Sequence, residues 1–398
     1  MTGAFPERQS RPSWASLPMF FDAEHRALGE QCRALSNSDG ALFDPSRVIP
    51  RLGELGLLPL LVPAKHGGGA WGANGAAVDV RALCVAREAL AYVSPLADSI
   101  FAVQGLGSYP IVLAGEAERR ASVIEEVVRG TRVAAFALTE PEAGSDVASL
   151  RTVARLDGDD WILDGEKVFI SNVGIAHHFV VFANADPDAG KKGISAFLVD
   201  ASTPGLVTEP IAMSVEHPLG RITMKGCRVP ASAMLGEVGM GLRLALGTLD
   251  VFRTSVGAAA VGMARRALDE TLGRVVRRRQ FGKTLAEQQL TQAALADMAT
   301  ELDASRLLVY RAAWEKDRSD GAAEARSDGV SVAMAKMYAT EAAQRIIDRG
   351  VQLFGGLGVT EACVLDHLYR EIRPLRIYEG TTEIQKLIIG GALVGPRR

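Results

Sequence analysis

The chain has 398 residues, more than one hydrophobic core usually serves, so two or three packed subdomains are expected. Hydrophobic residues make up 48% and charged residues 23%, the mix of a folded soluble protein, which excludes global disorder and fibrous repeats. Forty-four Lys and Arg against 47 Asp and Glu leave a net charge of −3, without the basic surplus that phosphate backbones demand, so no nucleic-acid partner is expected.

Residues 1–20 read as a loose tail rather than a secretory signal: the opening MTGAFPERQSRPSW is polar, holds two prolines and has no apolar core region. No run reaches 18 apolar residues, so no membrane span is expected. Cys32, Cys84, Cys227 and Cys363 form no CxxC pair, and none of the six histidines sits at ligand spacing from them. Neither a disulfide framework nor a metal site is expected, and a cytoplasmic location is the default.

From about Phe21 to Gly130 apolar residues recur at helical spacing, with Asp22 as a candidate N-cap and further helices over 45–58 and 79–91. Gly67, Gly69 and Gly72 satisfy GxGxxG, but the following stretch is helical and no parallel strand ensues, so a surface loop is the better reading. From about Arg132 to Pro230 the chain turns short, β-branched and alternating. Strands are expected over 133–138, 151–156, 161–163, 167–171, 179–183, 194–199, 206–211 and 221–224. Turn signals stand between them at Asp157-Gly158, Asp164-Gly165, 186–193 and Pro204-Gly205. His177-His178 opens one strand with no ligand partner at useful spacing and reads as edge-of-strand polarity. Long helical patterns return over 242–279, 286–317 and 330–353. Gly282-Lys283-Thr284 resembles the end of a P-loop, but Arg277 stands where its first glycine belongs. The expected fold is mainly α with a central β-domain: an N-terminal helical domain (21–131), a middle β-barrel or sandwich (132–232) and a C-terminal helical bundle (233–398).

Polar segments interrupt this scaffold at five places. The run 138–146, LTEPEAGSD, follows an apolar strand; Thr139 and Ser145 offer hydroxyls beside free N–H groups, suited to a flat heteroaromatic ring or a phosphate, and equally to a plain turn. Residues 164–172 read as a hairpin in which Phe169 and Ser171 share one strand face. Arg277, Arg278 and Arg279 close a long helix, where cations complement its dipole, and pointing three ways they leave one free for an anion such as a diphosphate. Gln352 to Gly358 closes a helix with glycines, either as a C-cap or for close backbone approach to a ligand. In 377–385, IYEGTTEIQ, Thr382 with Gln385 makes a capping-box pattern, which puts Glu379 on a tight entry loop. Apolar sequence on either side would desolvate that carboxylate and raise its pKa into the range of a general base, although a surface Glu in a turn fits as well.

Together, LTEPEAGSD, GEKVFISN, RRQFGK, QLFGGLG and IYEGTTEIQ, in a helix–β–helix order, resemble the acyl-CoA dehydrogenases, over about Phe21 to Val394. The resemblance implies a C-terminal four-helix bundle, bound FAD and a homotetramer built as a pair of dimers. It implies that Phe136, Leu138, Thr139, Gly144 and Ser145 lie against the cofactor, that Phe169 packs on its ring and that Ser171 bonds near its reactive nitrogen. Arg278, Phe281, Gln289, Gln352, Gly355 and Gly356 would reach the FAD of a neighbouring subunit, and Thr381 and Glu383 the near one. Ser145, Arg253, Tyr378 and Gly380 would meet the acyl-CoA substrate. Glu379 would take the α-proton of the thioester, giving a trans-2-enoyl-CoA, with electrons passed on to an electron-transfer flavoprotein.

Some members carry the base on the long helix just before the arginine matching Arg253; Phe252 stands there and cannot accept a proton, leaving Glu379 as the matching base. Two departures stand out: Phe169 replaces a tryptophan common in relatives, and 214–221 lacks a Lys-x-Gly-x-Arg pattern, which leaves the acyl chain unspecified. The alternatives are an acyl-CoA oxidase or flavin monooxygenase on the same fold, the latter disfavoured by the intact base, and a non-catalytic flavoprotein relative, disfavoured by the intact cofactor motifs.

Overall fold

The computed structural model describes residues 10–69, 75–114, 118–319 and 329–395, so Gly72 of the GxGxxG match lies outside the described residues. The chain is mainly α-helical with a central sheet. It opens with helices α1 (Ser13–Ser16), α2 (Ala23–Cys32), α3 (Pro45–Glu54), α4 (Val80–Val93), α5 (Pro95–Leu113) and α6 (Glu118–Arg129). Strands β1 (Ala134–Ala137), β2 (Val153–Asp157), β3 (Asp160–Ser171), β4 (His178–Asn184), β5 (Ile194–Asp200), β6 (Leu206–Pro210), β7 (Leu219–Pro230) and β8 (Met234–Leu235) follow. Helix α7 (Gly241–Val275), the short strands β9 (Arg279–Gln280) and β10 (Lys283–Thr284), and helices α8 (Gln289–Ser319), α9 (Val330–Phe354), α10 (Val364–Leu375) and α11 (Thr382–Val394) complete the chain. It divides into two compact units: Met1–Ser38, Val80–Asp98 and Arg253–Arg398 form one, Asp39–Asp79 and Ser99–Phe252 the other.

In the helical unit α2 starts where the sequence places it. The Asp22 side chain accepts from the N3 backbone while the Asp22 N–H donates to His25 Nδ1 at 3.2 Å, which satisfies two otherwise orphaned donors. Small residues set how closely the helices approach. A Cβ on Gly262 of α7 would sit 2.2 Å from the Glu88 carbonyl oxygen of α4, and Ala258, Ala259, Ala260, Ala264 and Ala267 are all buried along α7. Helices α5 and α7 are long and apolar enough to cross a membrane, but 78% and 67% of those stretches are buried inside the fold.

In the other unit, strands follow the order β6-β7-β3-β2-β4-β5-β8, with β1 parallel to β4. Alternate residues face one core: Trp161 and Leu163 on β3, Phe179, Val181 and Ala183 on β4, Phe197 and Val199 on β5, Ile222 and Met224 on β7. The Trp161 and Phe197 rings lie 5.5 Å apart although their strands are three places apart in the order, so the sheet folds over onto itself.

Three local expectations fail. Asp164-Gly165 is no hairpin turn; β3 runs straight through it, with a register shift against β7 between Leu163 and Gly165. Glycine is needed because a Cβ at 165 would lie 2.5 Å from Thr152 Oγ1, so the Asp-Gly pair marks a bulge under a close neighbour. His178 is not at a sheet edge: β4 is paired on both sides, and the imidazole is fully buried, accepting from Arg132 Nε at 3.0 Å. Helix α7 also ends at Val275, short of the expected Arg279.

Candidate active site

The candidate residues fall into separate clusters in the two units. In the helical unit, α10 ends at Leu375 and α11 begins at Thr382, leaving a six-residue turn that holds Glu379. The N-cap is Thr381, not the expected Thr382: Thr381 Oγ1 accepts from the Ile384 N–H at 3.3 Å, while Thr382 Oγ1 donates to Glu341 Oε1 at 2.7 Å. Gln385, expected in the capping box, instead donates Nε2 to the carbonyl oxygens of Gly380 at 2.9 Å and Glu379 at 3.4 Å. Lys336 Nζ donates to the Gly380 carbonyl at 2.8 Å and Arg253 Nε to the Glu379 carbonyl at 3.0 Å. The turn is thus pinned by its backbone, and both Glu379 (φ 52) and Gly380 (φ 90) are left-handed.

Glu379 as a residue is half-buried, but its Oε2 is closed to solvent and has no hydrogen-bond partner among the described residues. Its N–H likewise makes no hydrogen bond among them. Burial raises the carboxyl pKa above its ordinary value; the cations of Arg87, Arg253 and Lys336 oppose this without overcoming it, and Asp98 adds to it. Burial also lowers the Lys336 ammonium to about 8, against the pull of Glu379.

Behind the turn lies a pair the sequence reading did not single out. Arg87 of α4 is fully buried; its Nε and Nη2 donate to Asp98 Oδ1 and Oδ2, each at 2.8 Å, and Nη1 donates to Ser255 Oγ at 2.9 Å. Asp98 is itself shifted upward by burial despite this partner. Tyr378 lies next to Glu379, and burial drives its hydroxyl pKa up against the pull of the Arg87 cation. Arg87 in the largely apolar run of α4 was the available signal, since such a charge is retained inside a fold when it is paired.

The arginine run is arranged differently from expectation. With α7 ending at Val275, Arg277 and Arg278 sit in the turn beyond it and Arg279 in β9, so they do not fan out around a helix. Phe281 (φ 50) and Gly282 (φ 75) make the two-residue turn of the β9–β10 hairpin, a geometry that needs positive φ at both positions. Arg274, Arg277, Arg278, Glu270, Phe354 and Leu357 line a cavity of ≈ 350 Å³. Arg274 stacks 4.8 Å over the Phe354 ring and donates Nη2 to the Phe354 carbonyl at 3.0 Å. Gly355 (φ 64) caps α9 through its N–H to the Gln352 carbonyl, and neither Gly355 nor Gly356 has an atom within 4 Å of where a Cβ would stand. Phe281, 95% exposed, and the exposed Gln289 and Gln352 remain on the surface, as does Glu383, whose carboxyl pKa is lowered by its own N–H and the Thr381 hydroxyl.

In the sheet unit the LTEPEAGSD loop is tied from below. Glu140 is buried; Oε1 accepts from Lys167 Nζ at 2.7 Å and the Thr152 N–H at 3.0 Å, and Oε2 from the Arg151 N–H at 2.5 Å. Lys167 Nζ also donates to the Leu138 carbonyl at 3.1 Å, and the Val168 N–H to the Thr139 carbonyl at 3.0 Å. Leu138 is buried and Thr139 half-buried, whereas Gly144 and Ser145 are exposed, with open space around Gly144. Phe136 packs its ring 4.9 Å from Phe182.

Val168 and Ile170 are buried while Phe169 is 63% exposed and Ser171 half-buried, so Phe169 and Ser171 share a face as expected. Ser171 Oγ lies 2.9 Å from His217 Nε2. Phe252 is a core side chain, its ring 5.7 Å from that of Tyr109. Among the described residues the non-glycine positions with positive φ are Phe169, Asn172, Phe281 and Glu379. Three of these four are sequence-predicted site residues, and such backbone strain concentrates where a fold positions functional groups.

Comparison with known proteins covers almost the whole chain. Residues 22–131, 135–227 and 239–394 match the family models described as the N-terminal, middle and C-terminal domains of acyl-CoA dehydrogenase. A probable acyl-CoA dehydrogenase of Mycobacterium tuberculosis is 35% identical over 397 residues, covering 96% of this chain and 99% of that protein. Among solved structures, butyryl-CoA dehydrogenase from Megasphaera elsdenii is similar with a TM-score of 0.85 at 30% identity, covering 94% of this chain and 99% of that one. A glutaryl-CoA dehydrogenase from Mycobacterium smegmatis in complex with FADH2 has a TM-score of 0.85 at 28% identity, covering 96% and 98%.

Proposed function

The chain belongs to the acyl-CoA dehydrogenase family, a family of FAD-dependent oxidoreductases, and from that premise we propose that Glu379 is the base that removes the α-proton of a bound acyl-CoA thioester, the product being the trans-2-enoyl-CoA. The observation that carries this is the buried, unpartnered Oε2 of Glu379 on a strained turn whose Glu379 and Gly380 carbonyls are already engaged. A carboxylate held away from water and raised above its ordinary pKa is a stronger base than one in solvent.

The residues present fit FAD. Exposed Phe169 offers a flat apolar face, Thr139, Ser145 and Ser171 offer hydroxyls, and the cavity at Arg274, Arg277 and Arg278 offers cations to a diphosphate. Leu138, Gly144, Thr381 and Glu383 would hold the near cofactor; Arg278, Phe281, Gln289, Gln352, Gly355 and Gly356 would hold that of a second copy. When bound, FAD supplies the acceptor for the two electrons that leave with the β-hydrogen.

The protein's own part is to orient and to move one proton. Arg253, Gln385 and Lys336 fix the carbonyls of Glu379 and Gly380, so the carboxyl cannot swing away with the turn. The Glu379 N–H, which makes no hydrogen bond among the described residues, donates to the thioester oxygen as negative charge develops there. Oε2 takes the α-proton, and exclusion of water on binding keeps that oxygen basic.

Electrons then pass to an electron-transfer flavoprotein, in a cytoplasmic homotetramer. Phe281, Leu290, Leu387, Leu393 and Val394 of the helical unit, 70–95% exposed, suit burial against further copies. The test is anaerobic mixing of the FAD-loaded protein with a panel of acyl-CoAs, short, branched and alicyclic. At least one should bleach the flavin absorbance, without peroxide formation on admitting air; bleaching by none refutes the proposed activity, and rapid peroxide release identifies an oxidase.

A further inference from the structure

The ladder between β3 and β7 pairs Ser171 with Leu219, and the Leu219 N–H donates back to the His217 carbonyl at 2.8 Å, so the loop entering β7 folds its imidazole beside the end of β3. There His217 Nε2 meets Ser171 Oγ at 2.9 Å, and His217 Nδ1 meets Ser99 Oγ of α5 at 3.4 Å. Ser171 is therefore not a lone strand-end hydroxyl but one end of a chain of three groups, Ser99, His217 and Ser171. Burial lowers the His217 pKa to about 4, so the ring is neutral in neutral solution, with one N–H and one lone pair.

A neutral imidazole between two hydroxyls couples them. When Ser99 donates to Nδ1, Nε2–H donates to Ser171 Oγ and the Ser171 proton is left for an outside acceptor. When Nδ1–H donates to Ser99, Nε2 accepts a hydrogen bond from the Ser171 hydroxyl and the serine shows an outside donor its lone pair. We propose that His217, braced by Ser99, is a positioning residue that sets the direction of the Ser171 hydroxyl toward the flavin. This rests on the reading that Ser171 faces FAD. The two arrangements serve a ring nitrogen that accepts when oxidised and donates when reduced, so the imidazole biases the redox balance through the serine without touching the substrate.

The test uses the FAD-loaded protein and the flavin midpoint potential, read by spectroelectrochemistry without substrate, for Ser171→Ala, His217→Ala, His217→Asn and the pair Ser171→Ala/His217→Ala. Losing or misdirecting one neutral hydrogen bond changes a binding ratio by roughly three- to tenfold, and tenfold is about 30 mV for a two-electron couple. Ser171→Ala should shift the oxidised-to-reduced ratio by that factor. His217→Ala should shift it in the same direction, Asn should retain part of the parent value, and the double variant should add nothing to Ser171→Ala. His217→Asn also keeps a polar side chain at the position should the alanine variant fail to fold. A shift with Ser171→Ala but none with either His217 variant overturns the inference alone, as do fully additive shifts. No shift with Ser171→Ala overturns the placement of Ser171 against the flavin and the inference with it.

Discussion

Replacing Arg87 with Met tests whether the buried charges packed behind Glu379 depend on their pairing. Arg87 is fully buried and gives three hydrogen bonds, two of them to Asp98, whose side chain is 1% exposed. Removing the guanidinium strands that carboxylate, and breaking a buried pair from one side costs about 3–5 kcal/mol. With 398 residues and an unfolding entropy of about 2.1 cal/mol/K per residue, the entropy is roughly 0.84 kcal/mol/K, so Tm should fall by about 4–6 °C. The double change Arg87→Met/Asp98→Leu removes both charges and should recover most of the loss. Arg87 also pulls the Glu379 pKa down, so in the single variant the Glu379 pKa should climb further and the pH profile of flavin reduction should move to higher pH. Differential scanning calorimetry and stopped-flow reduction at several pH values read both effects. A single variant as stable as the parent, or a double variant less stable than the single, refutes the reasoning.

Arg277→Ala and Arg278→Ala should each weaken FAD retention by roughly tenfold to a hundredfold, as loss of a charge-assisted bond to a diphosphate would, with the difference shrinking at high salt; fluorescence of released FAD reports it, and unchanged retention contradicts the cavity assignment. His178 gives a pH signature. Burial, then the Arg132 cation, pushes it from 6.5 to about 3, so between those values the unfolded chain binds the extra proton. The stability His178 contributes is complete above pH 6.5 and is lost as pH falls toward 3, so the stability gap between the parent and His178→Gln in urea should narrow over that window.

The sequence carried those features that depend on near neighbours along the chain. Asp22 as a cap, the helix–β–helix order, Phe169 and Ser171 on one strand face and Glu379 on a turn before a helix all follow from spacing and turn chemistry. Failures occurred where distant residues choose among locally equivalent options. Asp164-Gly165 suits a turn or a bulge, and Thr152 decides for the bulge. Thr381 and Thr382 can both cap, and Glu341 takes the second hydroxyl. The Arg87 pairing with Ser255 spans 168 positions and the Ser171 contact with His217 spans 46, so no local pattern announces either. The arginine run fell short for a backbone reason, since the Phe281-Gly282 turn draws Arg279 into a hairpin and ends the helix at Val275.

The most direct measurement is exchange of the α-hydrogens of a bound acyl-CoA with deuterated solvent, followed by mass spectrometry on the parent and on Glu379→Gln, both loaded with FAD. The parent should wash the label into C2, and the variant, which keeps the shape of the side chain but cannot accept the proton, should do so slower by about 10²–10⁴-fold. Exchange at the parental rate in Glu379→Gln would mean that another group takes the proton.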